Sequence, residues 1–259
     1  MNKEGLQPLG DSLPAMTPEN GAPASPLVEE PECPICLDRQ WVHPTVDGKV
    51  DYGDVKRCVC QKKNDANRKR LALLLGCKLP KDADRFTFDT FKVFPDLQEA
   101  YDACVAFASG RSDVEWLTLL AGVDKGKSHL AIAICHTFIK RGIPARYLFV
   151  PSGLDALRAG YDAEGEQGYE AQLRHMIAVD LLVLDDLGAQ VPTPWAMEKL
   201  MMIIDERYMA GLPLVVTTNK ALNMLPGDDE GRIGSRIMRH PHAQVITIKG
   251  PEYRMRSKT

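Results

Sequence analysis

The stretch "AGVDKGKSHLA", Ala121 to Ala131, places Gly126, Lys127 and Ser128 in the order of the last three positions of a phosphate-binding loop, G-x-x-x-x-G-K-[ST]. In such a loop backbone N–H groups wrap the phosphates, the lysine reaches the β and γ groups, and the hydroxyl holds Mg²⁺. The nucleotide-contacting set is then Ala121, Gly122, Val123, Asp124, Lys125, Gly126, Lys127, Ser128 and His129. Ala121 stands where the first glycine is expected, a mild departure, because a small residue permits the turn and Gly122 keeps the backbone flexible. Asp124 is the larger departure: a carboxylate beside phosphates repels them unless it points outward or pairs with Lys125.

A second chemical element is "VDLLVLDDLG", an apolar run ending in two carboxylates. Asp185 is placed to hold Mg²⁺ directly or through water, and Asp186 to orient and activate an attacking water. The bland alternative is a buried strand whose aspartates cap the following turn. Further on, "LPLVVTTNK" ends in Thr217, Thr218 and Asn219. Ligands of open α/β sheets bind at the carboxyl ends of strands, so Asn219 can touch the γ-phosphate or the water; the same tripeptide also reads as a helix cap.

These residues need strands that end together. The apolar runs Trp116 to Ala121, Ala145 to Val150, Leu181 to Asp185, Leu214 to Thr218 and Gln244 to Ile248 read as strands. Helical patterns cover about 127–141, 152–160, 166–178 and 194–210. In the first of these Leu130, Ile134 and Phe138 share one side, and the last opens with Pro194 and stops at Gly211. Strands alternating with helices imply a mostly parallel sheet covered on both faces, an α/β fold with an αβα layering.

Upstream, Cys33-x-x-Cys36 and Cys58-x-Cys60 sit in short polar sequence. Four thiolates suit tetrahedral Zn²⁺, and the module reads as a structural zinc site. His43 is a possible substitute ligand but reads more simply as polar surface. Cys77, Cys104 and Cys135 lie in apolar or helical surroundings and read as buried small hydrophobes. The expected organisation is a disordered proline-rich tail over 1–30, the zinc module over 31–64, a basic connector helix over 65–83 ending at Gly76, and an ATPase domain over 84–259.

A chain of 259 residues with 44% hydrophobic content can bury one full core and a small appended module. The net charge of -3 creates no global basic field, so nucleic-acid contact must come from local patches. One patch is Lys56, Arg57, Lys62, Lys63, Arg68, Lys69 and Arg70, which can neutralise DNA phosphates or simply be a solvated face; the tail "KGPEYRMRSKT" is open in the same way. No apolar run reaches the length of a membrane span and the first residues have no signal-peptide pattern, so the chain reads as soluble and cytoplasmic. The odd cysteine count of seven, with four in tight pairs, favours a reducing compartment over a disulfide framework.

Taken in order, "LLAGVDKGKSHLAIAI", "VDLLVLDDLG", "PLVVTTNK" and "GRIGSRIMRH" resemble the AAA+ ATPases of the DnaC/DnaI helicase-loader group and their relatives, the IstB transposition helpers. The resemblance covers about residues 84–250 and implies an AAA+ P-loop domain of the ASCE type. It further implies a parallel sheet in the order 5-1-4-3-2, ATP with Mg²⁺, and self-assembly in which one subunit completes its neighbour's site. Asn219 matches sensor 1, and Arg236 matches the arginine finger supplied in trans, with Arg232 and Arg239 as flanking candidates; a basic helix on a solvated face is the alternative. The chain ends at Thr259, which by this resemblance leaves no lid.

"DRFTFDTFKVF" brings Phe86, Phe88 and Phe91 ahead of the core; relatives place such a segment near adenine, yet core packing is the favoured reading. Loaders of the DnaI kind carry an N-terminal zinc domain that touches the replicative helicase, which tilts the expectation to an ATP-hydrolysing loader acting on single-stranded DNA. The rivals are a transposition helper and a nucleotide-responsive adaptor that binds without turnover.

Overall fold

The structure, a computed structural model, describes residues 6–8, 31–253 and 256. The chain divides between Lys69 and Arg70 into two compact units. In the first unit, β2 (Trp41–Val46) pairs antiparallel with β1 (Leu6–Pro8), β3 (Lys49–Val50) and β4 (Lys56–Arg57). Asp47 and Gly48 join β2 to β3 with φ of 50° and 77°, the two left-handed residues that an Asp-Gly hairpin supplies. The strand Leu6–Pro8 departs from the unstructured tail expected of 1–30; the rest of that tail lies outside the described residues.

Helix α1 (Val59–Cys77) begins inside the second cysteine pair, earlier than the polar run implied, and ends one residue past Gly76. Its residues 62–72 are all exposed, as expected for a helix polar on every side.

The second unit holds, in chain order, α2 (Gln98–Ser109), β5 (Trp116–Leu120), α3 (Lys127–Lys140), β6 (Ala145–Phe149), α4 (Val150–Ala159), α5 (Tyr169–Ala178), β7 (Leu181–Leu187), α6 (Pro194–Ala210), β8 (Leu214–Thr218), α7 (Arg232–Arg239) and β9 (Ala243–Thr247). All four strand pairings are parallel, in the order β6-β7-β8-β5-β9. Counted from the phosphate-loop strand, this is the 5-1-4-3-2 sheet. Helix α2 was not among the expected elements, although Ala100, Cys104, Phe107 and Ala108 repeat at helical spacing and are buried.

Each strand divides its side chains between two cores. Leu117 and Leu119 of β5, with Leu181 and Val183 of β7, join α2 and α3 on one face. Trp116, with Leu182 and Leu184, joins α4, α5, α6 and α7 on the other. The three-layer αβα arrangement follows from that alternation. Helix α3 is buried more widely than its Leu130, Ile134 and Phe138 stripe predicted, because Ala131, Ile132, Ala133 and Cys135 are buried too. Cys77, Cys104 and Cys135 are fully buried, in keeping with their apolar surroundings.

Helix α6 shows its stop signals directly: the Thr193 hydroxyl accepts from the Ala196 N–H at 3.2 Å, Pro194 opens the first turn, and Gly211 closes it at φ 62°. Arg207 on the same helix is wholly buried and donates to the carbonyls of Met176, Ile177 and Val179 at 3.1, 3.0 and 2.7 Å. It therefore satisfies the open carbonyl end of α5, which would otherwise be buried without partners.

Candidate nucleotide site

The phosphate loop begins where β5 stops. The Ala121 N–H donates to the Thr218 carbonyl at 3.1 Å, and Leu130 N–H to the Gly126 carbonyl at 3.1 Å starts α3. The left-handed positions in the turn are Asp124 at φ 57° and Gly126 at φ 82°. Neither Ala121 nor Gly122 is left-handed, so the backbone makes no demand for glycine where the motif lacks one. Gly126 is constrained twice, because a Cβ there would sit 2.9 Å from the Phe91 ring. Aspartate is among the residues that best tolerate a left-handed φ, at a cost of roughly 1 kcal/mol relative to glycine.

Lys127 is nearly buried, and its Nζ donates to the carbonyls of Ala121 at 3.0 Å and Gly122 at 2.7 Å. Burial lowers its pKa, while Asp186 and Asp185 act in the opposite direction. The ammonium is thus stowed on the loop it would leave to meet a phosphate.

Asp185 is 2% exposed on β7 and gathers three hydroxyls. Ser128 Oγ donates to its Oδ1 at 3.1 Å, Thr217 Oγ1 to the same oxygen at 2.6 Å, and Tyr147 OH to Oδ2 at 2.6 Å. Burial and the Asp185 charge push the Tyr147 hydroxyl far up, so it remains the donor. The strand register explains the arrangement: Phe149 of β6 lies opposite Asp185, and Thr217 and Thr218 end β8 on the other side. A hydroxyl and a carboxylate oxygen in contact form the hard-oxygen pair that a Mg²⁺ ion uses, so these residues fit that cation.

The strand runs two residues beyond Asp185, to Leu187, with a register shift between Leu184 and Leu187. Asp186 sits in that irregularity at φ 61°, its N–H donating to Thr217 Oγ1 at 2.9 Å. The bulge re-aims one carboxylate relative to the other, so they are not simply the end of an extended strand. Burial first, then the Asp185 charge, raises the Asp186 pKa above 3.8, with Lys127 opposing. At the end of β8, Asn219 Oδ1 is buried without a hydrogen-bond partner among the described residues. An unpartnered buried acceptor directly after the strand that bears Thr217 suits a water or ligand proton.

The loop opens on a cavity of about 620 Å³ that runs from Val123–His129 to Arg85, Phe86, Thr90, Lys92, Ile132 and Tyr253. Phe91 is core, as favoured by the sequence, but Phe86 lines the cavity. His129 is fixed by its Nε2 on the Thr87 carbonyl at 2.9 Å.

Arg236 lies elsewhere, on α7, where its Nε meets Asp205 Oδ1 at 2.5 Å and its guanidinium covers the Tyr208 ring at 5.0 Å. Arg232 and Arg239 line the same surface cleft, and none of the three lines the cavity at Ser128.

In the first unit, the sulfurs of Cys33, Cys36, Cys58 and Cys60 all lie within 4.8 Å of one another. Cys33 to Cys58 is 3.8 Å and Cys36 to Cys60 is 3.4 Å, against about 3.8 Å for the edge of a zinc tetrathiolate with 2.3 Å bonds. The donor set therefore fits Zn²⁺. His43 is not part of it: it is buried rather than surface-exposed, with Nδ1 bonded to the Asp54 carbonyl at 2.8 Å.

With this geometry in place, a family profile described as "IstB-like ATP binding protein" matches residues 40–259. The chain belongs to the IstB-like ATP-binding protein family. An insertion-sequence ATP-binding protein of Mycobacterium tuberculosis is 26% identical over 200 residues, covering 74% of this chain and 78% of the relative. The replicative helicase loader DnaC of Escherichia coli is 28% identical over 113 residues, covering 44% of each chain. The crystal structure of the DnaC helicase loader superposes with a TM-score of 0.54 at 24% identity, covering 67% of this chain and all of that one. The chain is thus similar to proteins of both kinds, and the fold is the AAA+ P-loop domain. No described helix is long and apolar enough to cross a membrane.

The sequence expectations missed Tyr147, whose hydroxyl lies inside the apolar run "ARYLFV", and Tyr253, which sits in a tail weighed only for its charge. A phenol in a short, mostly apolar strand was the available sign of the first.

Proposed function

We propose that the chain is an ATPase that assists in loading a replicative DNA helicase onto single-stranded DNA. The observation carrying the ATPase part is the Ser128–Asp185 contact at 3.1 Å, with Asp186 next in the same strand and an unpartnered Asn219 Oδ1 after the neighbouring one. Lys127 would leave its loop carbonyls for the phosphates, and the backbone N–H groups of residues 121–128 would wrap them. Mg²⁺ held by Ser128 and Asp185 would neutralise charge on the β- and γ-phosphates. Asp186 accepts the proton side of the attacking water and Asn219 fixes its orientation. Arg236 acts on a second copy of the chain as its arginine finger, released from Asp205 on assembly, in line with its distance from its own cavity.

The loader reading over the transposition helper rests on the four-sulfur cluster, which would hold one structural zinc per chain and present a surface to the helicase; about one equivalent of zinc in the purified chain is expected. The helper reading is favoured by the insertion-sequence relative, with target DNA as its platform. Pull-down with the tagged chain decides between them: recovery of a hexameric helicase supports loading, and recovery of a transposase instead overturns it.

A further inference from the structure

We propose that the segment after β9 completes the nucleotide site, with Tyr253 forming the wall that receives the nucleobase. This rests on the ATP-site reading and adds a residue to it. Past β9 the Ile248 N–H donates to the Leu120 carbonyl at 2.8 Å, so the segment leaves the sheet directly beside the start of the phosphate loop. It then crosses that loop. Lys125 Nζ donates to the Gly250 carbonyl, and the Tyr253 N–H donates to the Asp124 carbonyl at 2.6 Å.

The same tyrosine is tied to the aromatic stretch ahead of the core. The Lys92 N–H donates to its hydroxyl at 2.8 Å, and its ring stacks on Phe91 at 4.8 Å and 19°. Phe91 in turn stacks on Tyr101 at 5.9 Å and 21°, which makes Tyr253 the outer ring of a three-ring column. Arg256 anchors the segment farther along, with a two-pronged contact to Asp96 at 2.7 and 2.8 Å and its guanidinium 4.3 Å from the Phe94 ring. Tyr253 lines the cavity together with Phe86, Ile132 and the residues of the loop, and a Cβ at Gly126 would stand 3.6 Å from its ring.

The cavity is thus lined both by phosphate-loop groups, Lys127 and Ser128 among them, and by the Phe86 and Tyr253 rings and Ile132, with Arg85, Thr90 and Lys92 adding polar groups beside the rings. A planar heterocycle carrying a triphosphate is the chemistry that fills both, with the base against aromatic rings and the phosphates at the helix N-terminus. Because the Tyr253 backbone holds the Asp124 carbonyl, the wall and the loop are also mechanically joined.

The test uses the full chain with Mg²⁺ and compares ATP with inorganic tripolyphosphate, which probes the loop alone, by titration calorimetry. Tyr253→Ala is expected to weaken ATP about tenfold and tripolyphosphate less than twofold, the difference being one lost stacking surface. Tyr253→Phe keeps the ring and is expected to stay within about twofold of wild type for both. Unchanged or tighter ATP binding in Tyr253→Ala would overturn the proposal, as would an equal loss for both ligands, which would mean a distorted loop. A wild-type chain that binds neither ligand would instead overturn the ATP-site reading beneath it.

Discussion

The two ends of the nucleotide cavity are built on opposite plans. At the phosphate end the groups sit on or directly beside regular elements: Lys127 and Ser128 open α3, Asp185 lies within β7, Thr217 lies in β8 with Asn219 just after it, and hydrogen bonds of 2.6 to 3.1 Å bind the hydroxyls to one carboxylate. Around the rings, Phe86, Thr90 and Lys92 come from the irregular segment before α2 and Tyr253 from the segment after β9, held by ring stacking and backbone contacts. On the proposed reading, charge chemistry is placed on the sheet and the helix that follows it, and shape recognition on segments outside the sheet.

That difference predicts how damage should scale. The largest effect belongs to the phosphate end: Lys127→Ala is expected to weaken ATP and tripolyphosphate alike by about 100-fold, since a charged hydrogen-bond donor worth roughly 3 kcal/mol is removed from both. A loss confined to ATP would break the division between the ends. Next comes Tyr147→Phe, which removes one donor from Asp185 without touching the loop. Its effect should appear in metal dependence: about a tenfold weaker response of ATP binding to Mg²⁺, with binding in EDTA unchanged. Equal losses with and without Mg²⁺ would reduce Tyr147 to a packing residue.

Asp124→Gly should have the smallest effect, in the opposite direction. It removes a carboxylate from the loop and relaxes a left-handed residue, so a few-fold tighter ATP binding is expected from calorimetry. Unchanged affinity would show that the carboxylate lies away from the phosphates. The joint to Tyr253 is through the backbone carbonyl and survives the substitution.

The same contrast explains what could be read from sequence. Gly126-Lys127-Ser128 and Asp185-Asp186 were legible because their chemistry demands fixed types at fixed spacing after apolar runs. The strand order followed from the resemblance, and the sulfur cluster from cysteine spacing. The exemption of Ala121 was not legible, because it depends on which residue of the turn takes a positive φ. Nor was the bulge that carries Asp186, which has no local signature beyond the aspartate itself. Tyr253 was hidden for a different reason: its contacts with Phe91 and Lys92 join segments far apart in the chain, and only the folded domain brings them together. Arg207 belongs with it, since nothing in its local sequence marks it for burial, whereas the buried carbonyls ending α5 claim it.

The most direct test of the site as an ATPase is steady-state phosphate release with single-stranded DNA present, on wild type and Asp186→Asn in parallel, each after its ATP affinity has been measured. Wild type should turn over ATP, and Asp186→Asn should hold ATP at near wild-type affinity while releasing no phosphate above a no-enzyme control. Equal release by both chains, or none by wild type despite bound ATP, would contradict it.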